Sequence, residues 1–460
     1  MKEIKGTKLR SLSYGSVGKV VLIVLLVLFF LIPLSMIRVI VADRQYRSEE
    51  AKQEIMALWG GPQTMAGPLI AVPYRRTYSV ETDRGEVTET EIKNFFITAE
   101  HLDIRVALRT EVRKRGIYEV PVYAAEMILS GNFLKPDIEK LHLEDGDIYW
   151  KDAKLFIELP EMRALEAGTG ITWNGKSGDF QSNGGSLGLF PYNVEYNLEA
   201  GWENNEANKF YVTLNTRGAG SLEFIPFGHE TKVFLDSDWP APSFEGAFLP
   251  EERDLKDEEG FTASWSIHAL ARNIPAVWKE GDLEVWNISG SAFGVSLYQP
   301  VDLYARVERS VKYGVLFILL PFLAFFLMEV FSRQRIHILQ YLMIGGANTL
   351  FYLLLLSVSE HLGFTSAYLL GAGGTTVLIV FYTLAIMPGR KTGLAMIPVM
   401  VSLYLFLYTV LQSEDYALLI GSVGLFALLA LVMVLTRNID WYKLNREPDP
   451  IKSTESGESA

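Results

Sequence analysis

The hydrophobic positions of the chain fall into two textures. From Val20 to Ile37, and again from Tyr313 to Thr436, they form long runs with few or no charges, whereas between these blocks they alternate with polar residues in short stretches. An apolar helix of about 20 residues crosses a hydrocarbon core of roughly 30 Å. The pattern therefore predicts six transmembrane helices, one N-terminal and five C-terminal: Val20 to Ile37, Tyr313 to Met328, Ile338 to Ser359, Leu362 to Met387, Thr392 to Gln412 and Tyr416 to Thr436. Pro33 and Pro321 lie inside two of them. After the first, Asp43 to Leu58 is rich in helix formers and reads as a polar stalk that Gly60, Gly61 and Pro62 bring to an end.

From Gly67 the alternating runs, rich in Val, Ile, Tyr and Phe and broken by Gly, Asp and Asn, predict β strands. Leu69 to Val80 and Lys93 to Thr98, around Asp83, Arg84 and Gly85, read as a hairpin. Phe210 to Thr216 and Leu222 to Ile225, around Gly218 to Gly220, read as a second. This region is long enough to bury its own core, either as one large sandwich or as two packed β subdomains, with Gly168 to Gly188 as the best internal break. No internal repeat is evident. Asp238 to Pro250, with Trp239, Phe244 and Phe248 among prolines and small residues, is unlike a regular strand and reads as a cap on the core edge. The expected fold is a six-helix membrane protein with a large mainly-β domain inserted after the first helix. Its expected segments are a cytoplasmic tail 1–19, helix 20–41, β domain with helical stalk 42–310, five-helix block 311–436 and a cytoplasmic tail 437–460, of which the last fifteen residues are expected to be disordered.

Charge divides along the same boundaries. Residues 42–310 hold 27 Lys and Arg against 44 Asp and Glu, a net of −17, and the rest of the chain nets +5, within a total of −12. A domain of that sign is repelled by phosphate backbones and anionic headgroups, which argues against nucleic acid as a partner and against flat docking on lipid. Lys2, Lys5, Lys8, Arg10 and Lys19 precede the first helix. Arg333 and Arg335, then Arg390 and Lys391, then Arg437, Lys443 and Arg446 fall in loops on one side of the bilayer, while Glu360, Glu414 and Asp415 fall on the other. Basic loops stay cytoplasmic, so both termini are expected inside and the β domain outside the cytoplasm. With a run of 18 residues and Arg38 close behind, the first helix reads as an uncleaved anchor and not as a signal peptide cut after Ala42. The chain has no cysteine, which removes disulfides, thiolate metal sites and cysteine nucleophiles.

Several stretches carry a resemblance: Gly67-Pro68-Leu69-Ile70-Ala71-Val72-Pro73, Trp239 through Pro250, Phe351 to Leu356 leading into Ser359-Glu360-His361-Leu362-Gly363-Phe364, and Thr436-Arg437-Asn438-Ile439-Asp440-Trp441-Tyr442. Together they resemble the CreD family of bacterial inner-membrane proteins over nearly the whole chain. The resemblance implies an envelope-integrity protein of Gram-negative bacteria, with its β domain in the periplasm and a link to envelope-stress signalling. It implies no catalytic residues and no cofactor.

Other motifs carry little. Ser16-Val17-Gly18-Lys19 fits S-x-x-K and Lys391-Thr392-Gly393 fits K-T-G, but both fall at helix ends on the expected cytoplasmic face with no soluble catalytic domain between them. The histidines, His101, His142, His229, His268, His337 and His361, show no metal-ligand spacing, and Asp254, Asp257, Glu258 and Glu259 do not follow a calcium-loop pattern. Glu329 and His337 on the inner side, and Glu360 and His361 on the outer, lie at helix ends. The mid-span polar residues Asn348, Thr375 and Thr376 are neutral. Gly345, Gly346 and Ala347, and Gly371, Gly373 and Gly374, favour close helix packing, with Ala367, Gly371 and Thr375 on one narrow face.

The expected function is a non-enzymatic envelope-integrity or stress-response component. A transporter or lipid-handling protein is the alternative, and an envelope hydrolase the least favoured reading. Its partners would be the bilayer and a periplasmic or membrane protein. The candidate surface joins Trp239, Phe244 and Phe248 to Glu360 and His361 at the outer leaflet, with core packing as the competing role for the three rings.

Overall fold

The computed structural model describes residues 16–83, 85–143, 147–198, 207–256, 259–297, 303–332, 336–387, 389–413 and 416–437. Both tails, Arg333, Arg335, Lys443 and Arg446 of the basic loops, Glu414 and Asp415 of the acidic loop, and Asp257 and Glu258 of the acidic cluster lie outside them. The chain divides into two compact units, 1–47 with 302–460, and 48–301.

Helix α1, Ser16–Trp59, has 44 residues, about 66 Å at 1.5 Å per residue, so it is far longer than a bilayer core. Ile23, Leu26, Phe30, Leu34, Ile37 and Val41 recur at three- and four-residue spacing, and all are buried. They form the stripe that faces the other spanning helices. Gly60 and Gly61, both at positive φ, end the helix where a side chain would be strained.

The second unit is a strand-rich body. Its strands are β1 Gln63–Thr82, β2 Gly85–Arg115, β3 Tyr118–Phe133, β4 Lys154–Leu159, β5 Gly170–Trp173, β6 Lys176–Gly178, β7 Gln181–Gly184, β8 Tyr192–Asn197, β9 Asn208–Ala219, β10 Ser221–Ile225, β11 Gly228–Ser237, β12 Pro242–Gly246, β13 Glu252–Leu255, β14 Phe261–His268, β15 Val277–Lys279 and β16 Phe293–Leu297, with a short helix α2 at Val285–Ser289. Two sheets share β2. Its first half pairs with β1, Leu69 facing Thr98 through to Thr82 facing Gly85, and with β15. Its second half pairs with β3 and, in parallel, with β11. The second sheet runs β13-β14-β11-β2-β3-β9-β5-β6. The first carries β12, β16, β10 and β1 along one path and β4, β8 and β7 on the other side of β1. Alternation is strict where one face is wet: in β14 Phe261, Ala263, Trp265 and Ile267 are buried while the residues between them are not.

Two readings of the sequence are corrected here. The run around Gly218 to Gly220 is not a hairpin, because β9 pairs with β3 and β5 whereas β10 pairs with β1 and β16. Gly220, at φ +82°, turns the chain from one sheet into the other. Nor does Gly168 to Gly188 divide the domain: β5 and β6 extend the second sheet, β7 joins the first, and one hydrophobic core gathers Ile70, Phe95, Leu129, Ile157, Val212 and Trp265 from both sheets. The end of α1 belongs to this body. Trp59 donates to the Tyr123 carbonyl at 3.3 Å and lies beneath the guanidinium groups of Arg113 and Arg217.

The first unit adds α3 Leu303–Lys312, α4 Gly314–Ser332, α5 Ile338–Leu362, α6 Phe364–Ile386, α7 Arg390–Leu394, α8 Met396–Gln412 and α9 Ala417–Thr436. Counting α7 with α8, six helices among the described residues are long and apolar enough to cross a membrane, one before and five after the strand-rich body. Gly345 lies against Phe30 of α1 and Gly371 against Phe351 of α5, while Gly346, Gly373 and Gly374 face open space. Ala367, Gly371 and Thr375 are all buried. The amphipathic α3 is absent from the sequence reading because a ten-residue polar segment carries no spanning signal.

Candidate functional site

Polar chemistry in the helical unit sits at three levels. Near the start of α1, Lys19 Nζ pairs with Glu329 of α4 and donates to the Ile336 carbonyl at 3.0 Å. The Tyr341 hydroxyl of α5 donates to the other Glu329 oxygen at 3.2 Å. Towards the far end of the apolar stretch, Arg44 Nε stands 3.9 Å from Glu360 of α5, and the Tyr304 hydroxyl of α3 donates to that carboxylate at 3.2 Å. A charge at the centre of a membrane helix costs about 2.5–3.5 kcal/mol. Both carboxylates avoid this by lying at helix ends, each beside a cation of α1 and a tyrosine. The Glu360 side chain is only 9% exposed, whereas His361 is exposed and makes no hydrogen bond or ion pair among the described residues.

Between these levels α5, α6 and α8 share an aromatic and amide centre. Tyr368 donates to the Tyr404 carbonyl at 2.7 Å, and Tyr404 donates to Asn348 Oδ1 at 3.4 Å. Asn348 Nδ2 returns to the Ile344 carbonyl at 3.2 Å. The Phe351 ring packs on Tyr404 and Tyr368, with centroids 4.8 and 5.6 Å apart. On the other side of α8 an apolar cleft of about 430 Å³ opens between α4, α8 and α9, lined by residues such as Leu320, Leu403, Phe406, Leu418 and Gly421. Helix α9 buries none of its described residues.

In the strand-rich unit, Trp239, Phe244 and Phe248 are turned into the core. Trp239 is 9% exposed and donates through Nε1 to the Ala241 carbonyl at 3.0 Å. Phe244 meets Phe261 and Trp265 edge-on at 5.7 and 5.9 Å, and Phe248 meets Phe293 at 5.9 Å. Residues 242–246 form β12 on β16, so the segment is in part a strand. The rings therefore serve the cap on the core, the competing role given to them above. What the segment leaves to solvent is Asp238, Pro240, Glu245, Gly246, Ala247 and Leu249. Glu360 and His361 belong to the helical unit, where Glu360 is already engaged.

A different surface of this unit is open. On the solvent face of the second sheet, Phe234, Tyr211 and Ile128 are 49%, 46% and 37% exposed. They lie along a shallow trough with Arg105, Glu126 and Asp236 in its wall. Register explains the grouping: Phe234 pairs with Arg105, Arg105 with Ile128, and Ser130, one step along β3, with Tyr211. Each residue looks like an ordinary strand position in sequence. Histidines far apart in the chain also meet, for His229 and His268 pack ring to ring at 4.8 Å and His101 stands 3.2 Å from Glu230. No group of three or more His, Asp or Glu among the described residues is placed to hold a metal.

One carboxylate is sunk in this unit. Glu158 of β4 is fully buried and accepts the backbone N–H groups of Leu187, Leu189 and Phe190. Burial pushes its carboxyl above the usual range, and these donors offset part of that rise. The glutamate thereby fastens the loop between β7 and β8 to the first sheet.

Glu329 and Glu360 are visible in sequence as acids at helix ends, but their partners Lys19 and Arg44 are not, since Lys19 reads there only as a basic flank. Two comparisons with known proteins bear on the whole chain. The family model described as "Inner membrane protein CreD" matches residues 16–442. The chain is also 32% identical over 420 residues, 90% of each chain, to "Inner membrane protein CreD" of Escherichia coli (strain K12).

Proposed function

The chain belongs to the CreD family of inner-membrane proteins, and from that premise we propose that it maintains the cell envelope, or answers stress on it, through protein contacts made by its strand-rich domain, without catalysis of its own. The domain faces the periplasm and both termini lie in the cytoplasm, as the bias of Lys and Arg among the loops favours. The observation that carries this reading is the trough on the second sheet. Exposed Phe234, Tyr211 and Ile128 beside Arg105, Glu126 and Asp236 combine apolar area with charge in the manner of a protein contact surface.

The test is site-specific photocrosslinking in cells from position 234 or 211. Capture of a discrete protein supports the reading, and capture of nothing above the level seen from an exposed site on another face removes it. Threading is tested separately by reporter fusions. Alkaline phosphatase should be active when fused after Gly218 and inactive after Arg446, and the reverse at either site overturns the orientation.

A second reading, lipid handling by the helices, is favoured by the apolar cleft between α4, α8 and α9, which has the lining an acyl chain prefers. A crosslinker at Leu418 that captures phospholipid more strongly than one at Leu369, which is exposed on α6, supports it. Equal capture reports only the surrounding bilayer.

A further inference from the structure

The strand-rich unit contains a buried cation with no carboxylate paired to it among the described residues. Arg272 follows the short turn Ala269–Ala271 that leaves β14, and it is 6% exposed. Its guanidinium has one hydrogen bond, from Nη2 to Thr98 Oγ1, at the long distance of 3.5 Å. Nε and Nη1 are buried without a partner among the described residues. Among the described residues desolvation alone acts on the group, lowering its pKa to about 10. It therefore still carries its charge at neutral pH.

The surroundings make the arrangement expensive. Thr98 is the β2 residue at which pairing with β1 ends, and Ala99 begins the parallel pairing with β11, so the guanidinium lies at the seam of the two sheets. The segment 272–276 passes alongside, fixed by Thr98 N–H donating to the Ala276 carbonyl at 3.0 Å. Ile274 and Trp278 from the same stretch join an apolar cluster with Phe96 and Phe227. Removing an ion from water into such a setting is compensated only by an opposite charge or a full set of hydrogen bonds. A guanidinium presents its donors as a flat fork that matches two oxygens of one phosphate or carboxylate. The domain as a whole nets −17 and repels anions, so surface charge cannot supply such a group casually, and binding must depend on this one fixed cation.

We propose that Arg272 is the anchor of an oxyanion-binding site at the seam of the two sheets, taking a small phosphate or carboxylate group in two-oxygen fashion, with Thr98 beside it. The proposal is independent of the contact surface on the second sheet. The ligand seals the strap 269–276 against β2, so its binding is read as stability of the strand-rich unit.

The experiment uses the full chain in a neutral detergent, with thermal unfolding of the β signal followed at constant ionic strength and pH 7. Inorganic phosphate and acetate are each titrated against chloride. The expected result is a saturable rise in Tm with at least one of the two, and the one that acts identifies the group. Arg272→Leu, which removes the charge and keeps apolar volume, abolishes the rise. Thr98→Val, a milder change beside the guanidinium, shifts the midpoint of the titration to higher concentration. Wild-type Tm indifferent to both anions overturns the proposal whether or not Arg272→Leu folds. So does a rise that persists unchanged in Arg272→Leu, since the anion then acts elsewhere. If Arg272→Leu lowers Tm equally in every buffer while wild type shows no anion effect, the guanidinium is neutralised by the chain itself and the proposal falls.

Discussion

The two units treat buried polarity in opposite ways. In the helical unit each carboxylate withdrawn from water has a cation and a tyrosine beside it, Lys19 and Tyr341 at Glu329, Arg44 and Tyr304 at Glu360. In the strand-rich unit Glu195 has Lys154 beside it at 2.8 Å, but two other buried charges have no ionic partner among the described residues: Glu158 is held by backbone N–H groups, and Arg272 by a single long hydrogen bond. A helix satisfies its own backbone, so side chains must find side chains. A sheet domain with long loops has spare backbone donors, and a loop can wrap a carboxylate. Charges in the first unit accordingly join one helix to another, whereas in the second the lone buried carboxylate Glu158 fixes a loop.

The comparison breaks most visibly where neither unit relies on charge. Trp265 is fully buried and touches Phe244 and Phe293. Trp265→Ala should cost about 3–5 kcal/mol, the range for deleting a buried aromatic. Phe244→Ser should cost somewhat less, because Phe244 is only partly buried and a serine there can keep its hydroxyl wet. Unfolding of the β signal in the full chain, with the helical signal followed separately, checks both. If Phe244→Ser leaves the β transition unmoved, the segment 239–250 is no part of the core and is available for contacts.

Glu158 comes next. Glu158→Gln places an amide NH2 where backbone donors now point, and should cost about 1–3 kcal/mol for the donors it orphans. The pH dependence has a definite sign. A carboxyl whose folded pKa lies above its unfolded value contributes stability that is fully present below the unfolded pKa and is lost as pH rises through the folded pKa. The deficit of Glu158→Gln against wild type should therefore be largest in acid and narrow towards neutral pH. A deficit that widens instead would mean that the backbone donors outweigh burial.

How much of this was legible in the sequence follows the same division. The spanning helices declare themselves, since an uncharged run such as Val20 to Ile37 or Tyr416 to Thr436 has few other places to go. Alternation showed that the region from Gly67 is mainly strands, and the first hairpin read from it is present, with Thr82 facing Gly85. Gly220 showed that the chain turns there but not which strand it meets next, because partner choice is a long-range property. Glu329 and Glu360 could be located but not paired. The trough was invisible, because Phe234 and Tyr211 on their own are merely the strand residues whose faces point outward. Arg272, in the short run Ala271-Arg272-Asn273, reads as an ordinary surface arginine, and only its burial at the seam of the two sheets makes it unusual.

Returning to the helical unit, the two clamps should differ in strength. Glu329 receives Lys19 and Tyr341 in a setting where both ionic side chains are less than one-fifth exposed, at 18% and 12%. Removing one partner by Glu329→Gln should cost about 1.5–3 kcal/mol, the range for hydrogen bonds to charged groups. In a double-mutant cycle with Lys19→Met, most of that loss should appear as coupling energy. A negligible coupling would show that α1 is held by its apolar stripe alone.

The smallest effect is expected at the other clamp. Arg44 is 47% exposed and stands 3.9 Å from Glu360, a geometry that leaves the pair mostly to solvent screening. Exposed pairs of this kind contribute about 0–1 kcal/mol. Glu360→Gln also retains an oxygen for the Tyr304 hydroxyl, so what it removes is charge and little else. We expect Glu360→Gln and Arg44→Met each to lower Tm slightly, with coupling below about 1 kcal/mol that shrinks further in high salt. His361 provides the control, because it is exposed and unengaged: His361→Gln should leave Tm unchanged. If Glu360→Gln abolishes the envelope role proposed above while moving Tm by so little, that carboxylate acts on something beyond the helices that hold it, and the two clamps differ in purpose as well as in strength.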